Sequence, residues 1–307
     1  MQQPFATGVA MALAAVLLWG AQFPIAKSVF ATVDPYHVSL IRYAVATLLL
    51  VPILAWREGP AALRYYGGGW PASMLGLVGM CGSPLLVFAG LSATRPEHAA
   101  IIVSLQPSMT AIADWARHGR RPASFTQACI ATAFVGVVLV VTKGDPALAF
   151  GKGELLGDLL VLVGAACWVV YTMGTLRFSG WSSLKLTVLT LVPGSIGLAV
   201  ATAALVALGV ARVPSARELG AVGAELAFLA LFGVLVAMIC WNAGNKRIGA
   251  LNSMLMLNLV PVVVFVIGFL QGQRFEPVEL AGAGLVIAAL AANNLYLRHV
   301  HARRVHP

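Results

Sequence analysis

The chain has 307 residues, 60% of them hydrophobic and 10% charged, with a formal net charge of +9. Soluble domains carry about 25% charged residues, so this composition leaves almost no room for a soluble fold. The positive charge needs no nucleic-acid partner, because the inner surface of a membrane, with its anionic headgroups, accounts for it.

A spanning helix needs roughly 20 mostly apolar residues. Read in chain order, such stretches fall at 5–27, 35–56, 70–91, 98–116, 125–142, 155–176, 184–209, 220–242, 251–270 and 277–297. The expected fold is therefore all-α and integral to the membrane, with ten transmembrane helices and short linkers. The opening "MQQPFATG" has no basic side chain and leads into a long apolar run, so it reads as a first span and not as a cleaved leader. Cys81, Cys129, Cys167 and Cys240 lie singly inside apolar stretches and read as buried free thiols. No metal or cofactor is expected.

In the first span, "LLWGAQFPIAK" sets Trp19, Gln22 and Phe23 at i, i+3 and i+4, on one helix face. An amide in hydrocarbon needs a partner or a wet cavity. An indole adds a broad apolar surface and one donor. Together they suit a ligand with an apolar body and a polar end; ordinary helix packing is the alternative. Arg42, in the second span, is a candidate functional charge within the membrane, with snorkelling to an interface as the alternative. In the third, Ser83 precedes Pro84; in the fourth, Ser104 and Ser108 share a face around Pro107, and His98 is placed near the outer end, in reach of water. The sixth repeats the aromatic theme with Trp168, Tyr171 and Thr172, and the eighth closes with Trp241, Asn242 and Asn245. The ninth holds Asn258 and Pro261. Amides at such positions hold a carboxylate or an amine, or glue helices together. Pro84, Pro107 and Pro261 are candidate hinges, with a static bend as the alternative. Asp114, Asp158 and Glu225 fall near span ends, and no buried acidic pair is read, so uniport or exchange stands beside proton antiport. Gly284, Ala288 and Ala292 form a small-residue face read as packing within a monomer, with a weak homodimer as the alternative. The tail "LRHVHARRVHP" reads as a basic tail and not as a metal site.

An internal repeat is visible. At a constant offset of 154 residues, Ala89-Gly90 meets Ala243-Gly244, His98 meets Asn252, Ser104 meets Asn258 and Pro107 meets Pro261. Trp19 and Trp168 pair at a similar separation. The repeats are placed at 1–147 and 148–307. Five spans is an odd number, so the second repeat must enter the membrane inverted, as in many secondary transporters. With the N-terminus inside, twelve of the 20 Lys and Arg fall on the inner side, seven on the outer side, and Arg42 within a span. That bias puts both termini in the cytoplasm.

"WGAQFPIAK", "PEHAAIIVSLQPSMTAI", "CWNAG" and "LNSMLMLNLVPVVVFVIG", set in ten spans and two repeats, resemble the EamA branch of the drug/metabolite transporter superfamily along the whole chain. The resemblance implies a multi-pass protein of the inner (plasma) membrane that moves small metabolites, with amino acid export foremost and drugs, nucleosides or sugars as alternatives. An intramembrane enzyme is the rival class, but neither HExxH nor GxSxG is present. On this reading the substrate-binding set is Trp19, Gln22, Phe23, Ser83, Ser104, Trp168, Tyr171, Trp241, Asn242 and Asn258.

Overall fold

A computed structural model describes residues 5–119, 123–145 and 154–305. Every regular element among them is helical: α1 (Phe5–Val29), α2 (Pro35–Glu58), α3 (Gly69–Gly76), α4 (Ser83–Ala93), α5 (Pro96–Val103), α6 (Gln106–His118), α7 (Ser124–Thr142), α8 (Glu154–Thr175), α9 (Ser183–Ala207), α10 (Ala216–Ala221), α11 (Gly223–Ala230), α12 (Ala237–Met256), α13 (Leu259–Leu270) and α14 (Pro277–Val305). Seven helical stretches among the described residues are long and apolar enough to cross a membrane. Ser124–Val140 and Pro277–Asn293 are shorter apolar helices, and the expected fourth span is divided between α5 and α6. The pattern fits ten spans arranged as two inverted five-helix repeats.

Local chemistry sets the ends. Asp34 accepts hydrogen bonds from the Tyr36 and His37 amides, and Pro35 supplies a ready-made first turn, so α2 starts there. Ser182 caps α9 through the Lys185 amide. The expected loop at 243–250 is a correction: the eighth span stays helical through Ile248, and the chain breaks only at Gly249, at φ 80° and ψ 159°. Its polar residues "NKR" decorate the end of a helix, and glycine alone adopts the turn without strain. Trp56, Tyr66 and Trp70 stand exposed near one end of the bundle, as amphipathic rings do at a membrane interface.

The repeat is also legible in packing. A six-residue π-helical segment, Leu77–Gly82, joins α3 to α4, and a second, Leu231–Val236, joins α11 to α12, 154 residues later. The Ser83 amide bonds the Val78 carbonyl five residues back. Gly90 on α4 packs so closely on α8 that a Cβ would lie 2.4 Å from the Gly157 carbonyl. The counterparts, Gly244 on α12 and Gly8 on α1, meet likewise, at 2.9 Å from a Gly244 Cβ to the Gly8 carbonyl. Thus the first helix of each repeat is clamped to the third helix of the other. Thr47 and Ser195, which correspond at an offset of 148, bond each other at 2.7 Å between α2 and α9. The handover placed at 147/148 lies outside the described residues.

Four cysteines are free, with Cys129 buried and Cys81, Cys167 and Cys240 only half-buried. The face of Gly284 is another correction. Gly284 and Ala288 are exposed, and nothing lies within 4 Å of a Cβ at Gly284. The neighbouring face, with Gly282 and Val286, packs on Gly136 of α7 instead.

Candidate functional site

A cavity lies between the repeats, lined by Trp19, Gln22 and Phe23 of α1, Arg42 and Tyr43 of α2, Ser83, Pro84, Val87 and Phe88 of α4, Val103, Gln106, Trp168 of α8, Gly233, Met238, Leu257 and Val260. Its volume is about 70 Å³, room for a few waters and well short of the 300 Å³ or more of a drug-sized site. Helical spacing explains how α1 delivers its residues, for Trp19, Gln22, Phe23 and Ala26 are all buried on one face.

Aromatic rings form one wall. The Trp19 and Trp168 centroids are 5.2 Å apart with planes at 87°, an edge-to-face pair. Trp241 sits behind, 5.0 Å from Trp19. The Trp19 indole N–H donates to the Gly233 carbonyl at 3.0 Å. Gly233 belongs to the second π segment. Tyr171 corresponds to Gln22 at the same offset as the two tryptophans, and Gly79, the counterpart of Gly233, packs against it: a Cβ there would lie 2.4 Å from the Tyr171 side chain.

The expected substrate set divides in two. Trp19, Gln22, Phe23, Ser83 and Trp168, with Pro84, line the cavity. The others do not. Tyr171 and Asn242 are engaged with one another at 3.0 Å, and Asn242 also donates to Thr187 at 2.8 Å. Trp241 donates to Thr172 at 3.3 Å. The Ser104 hydroxyl returns to the Ile101 carbonyl at 2.6 Å. Asn258 precedes α13 with its Oδ1 buried and unpartnered. Pro107 and Pro261 occupy the first turns of α6 and α13, after breaks at 104–105 and 257–258, where a missing amide removes no helix bond.

Arg42, a candidate charge left out of the expected substrate set, also lines the cavity. It is 4% exposed and faces the cavity instead of snorkelling. Its Nη1 donates to Gln22 Oε1 at 2.7 Å, and its guanidinium lies 3.8 Å from the Phe88 ring centroid. A signal existed: Arg42 shares a helix face with Ser39 and Ala46, both fully buried.

His98 is a correction. It is fully buried, its Nδ1 3.7 Å from Asp158 Oδ2, while Thr94 donates to Asp158 Oδ1 at 2.6 Å. Nearby, Arg95 bonds Glu279 at 2.5 Å and lies 3.6 Å from Glu97. Lys27 donates to the Leu91, Ser92 and Thr94 carbonyls at 2.9, 2.9 and 2.6 Å, at the C-terminal end of α4. Three acids therefore are buried after all, Glu97, Asp158 and Glu279, each beside a basic side chain. Residues of this end, including Lys27, Ser28, Thr94, Arg95, Glu97, Glu154, Glu225 and Gln273, line a vestibule of about 620 Å³.

The profile of the EamA-like transporter family matches the chain twice, at residues 6–142 and 155–295. An uncharacterized transporter of Bacillus subtilis, YrdR, is 31% identical over 302 residues, covering 97% of this chain and 94% of its own. A second from the same organism, YyaM, is 31% identical over 280 residues, 90% of each chain. The aromatic amino acid exporter YddG of Ancylobacter novellus is 26% identical over 239 residues, 76% of this chain and 77% of its own. One solved crystal structure shares the fold with a TM-score of 0.69 at 20% identity, over 95% of this chain and 98% of that one. With two matched repeats that together span nearly its whole length, the chain belongs to the EamA-like transporter family.

Proposed function

We propose that this transporter exports amino acids with aromatic or other apolar side chains across the inner membrane by alternating access, with both termini in the cytoplasm. The observation that carries the reading is the cavity itself, where Trp19 and Trp168, at corresponding places in the two repeats, form a shared apolar wall beside Gln22, Ser83 and Arg42. A ring packs well on such a wall, and the polar groups suit a carboxylate or ammonium. The cavity of about 70 Å³ is too small for such a solute, which fits a closed resting site that enlarges as the repeats move. The wide vestibule at the Lys27 end fits access from that side. By the distribution of basic residues that end is the outer one. The exporter YddG, an aromatic amino acid exporter by name, supports the choice of solute.

The test is counterflow in proteoliposomes with labelled amino acids, aromatic and branched ones first, beside Trp19→Ala and Gln22→Ala. Saturable exchange lost in both variants, with each still monodisperse in detergent, is the expected result. Exchange that persists in both would move the site elsewhere. Exchange of no amino acid would turn the search to nucleosides, sugars and drugs.

A further inference from the structure

Among the described residues Arg42 is a cation without a counter-ion. It lies seven residues from the start of α2, about 10 Å along the helix, and is 4% exposed. Among the described residues no carboxylate pairs with it. Its contacts are neutral: Gln22 Oε1 at 2.7 Å, the Tyr43 side chain, which is within hydrogen-bonding reach and whose ring centroid lies 5.2 Å away, and the Phe88 ring at 3.8 Å. Its Nε is buried with no acceptor. A guanidinium stays charged under any biological condition, and a buried charge missing its partner is strongly unfavourable.

The corresponding place in the other repeat is filled without a charge. At the repeat offset of 148 its counterpart is Thr190, which meets Tyr171 as Arg42 meets Gln22. A small hydroxyl suffices at the corresponding place. The described residues lining the cavity include one cation, Arg42, and no acid. An ammonium group entering there would find only neutral acceptors, such as the unpartnered Gln106 Oε1.

We infer that Arg42 is the carboxylate anchor of the cavity, and that the class of solute it selects is the apolar monocarboxylate, in which an α-amino group is not required. The inference rests on the transport reading above and narrows it: amino acids qualify through their carboxylate, their deaminated analogues qualify equally, and the corresponding amines do not. Gln22 holds the guanidinium towards the cavity, and Phe88 supports its plane. Substrate carboxylate then takes the donors left free, as guanidinium groups do in two-point contacts.

The experiment uses the full-length protein in proteoliposomes and three labelled probes with one ring system: phenylalanine, 3-phenylpropanoate and phenethylamine. Counterflow of the acid should match or exceed that of phenylalanine, and the amine should exchange about tenfold to a hundredfold less well, the span of one charge-assisted contact. Arg42→Lys should keep the preference for the acid at reduced affinity, and Arg42→Met should abolish it. Because Arg42→Met can fail to fold, thermal unfolding of the wild type in detergent gives an independent reading: the acid should raise the midpoint and the amine should not. Exchange of the acid without phenylalanine would overturn the amino acid reading and uphold the anchor. Exchange of phenylalanine and amine at equal rates, or an Arg42→Met protein that still prefers the acid, would overturn the anchor and leave the transporter. Exchange of none of the three, with no shift in unfolding, would overturn both.

Discussion

Some polar side chains buried between these helices pair with one another. Tyr171, Asn242 and Thr187 satisfy one another, so their energy is spent on holding α8, α9 and α12 together. Tyr171→Phe leaves the Asn242 amide short of a buried partner and should lower stability by about 1–3 kcal/mol, visible as a lower unfolding midpoint in detergent. Transport per folded molecule should change little. Trp19→Phe keeps a ring but loses the donor to the Gly233 carbonyl; the expected effect is a weaker apparent affinity in counterflow with the fold intact. The aromatic face of α1 was legible in sequence because i, i+3, i+4 spacing is a local property. Arg42 was legible only as a charge inside a span, and the burial of His98 was not legible, since proximity to a span end says nothing about which way a side chain turns. The partners of buried His98 are Thr94, four residues back in the turn before α5, and Asp158, sixty residues on in α8.

At the scale of elements, spans were legible from hydropathy and their exact geometry was not. A π segment changes the hydrogen-bond register and leaves hydropathy untouched, so Leu77–Gly82 and Leu231–Val236 are silent in the sequence. Pro84 follows the first, but its counterpart in the second repeat is Met238, so proline alone does not cause the irregularity. The breaks at 104–105 and 257–258 were half-announced by Pro107 and Pro261. Glycine carries the tightest contacts. Gly90→Ala would drive a Cβ to 2.4 Å from the Gly157 carbonyl; overpacking of this kind costs about 1–3 kcal/mol, and the measure is yield and unfolding midpoint of the purified variant. Gly284→Ala, with open space around it, should be neutral or slightly stabilising, since alanine is the better helix former by about 1 kcal/mol.

Across the whole molecule the two ends differ although the repeats correspond. The Lys27 end carries Arg95, Glu97, Asp158 and Glu279, while the corresponding positions at the other end hold Gly249, Leu251, Val9 and Thr126, with Leu176 opposite Lys27. The Lys27 end therefore carries ion pairs between the repeats, while at the other end Gly8 and Gly244 meet through their backbones. Ser28 lines the open vestibule. In a background with the four cysteines replaced, Ser28→Cys should react quickly with a membrane-impermeant maleimide added outside. Saturating substrate supplied from inside should change that rate. Labelling from the inside only would reverse the orientation that the basic residues indicate. The inversion itself could be inferred from an odd number of spans per repeat; this difference between the ends could not, because it depends on which residues meet.

A carrier that neutralises Arg42 with its cargo is electrically uneven over its cycle. Empty, or loaded with a zwitterionic amino acid, it holds a positive charge within the membrane; loaded with a monoanion, it holds none. An elementary charge crossing the full field gains about 2.3 kcal/mol per 100 mV. A cell interior held negative therefore pulls the empty carrier toward its inward-facing form, ready to load, and leaves the loaded form free to turn outward. The resting voltage alone would then drive export of the anion, with no coupled ion, and a potassium–valinomycin diffusion potential of the opposite sign should reverse the direction of flux.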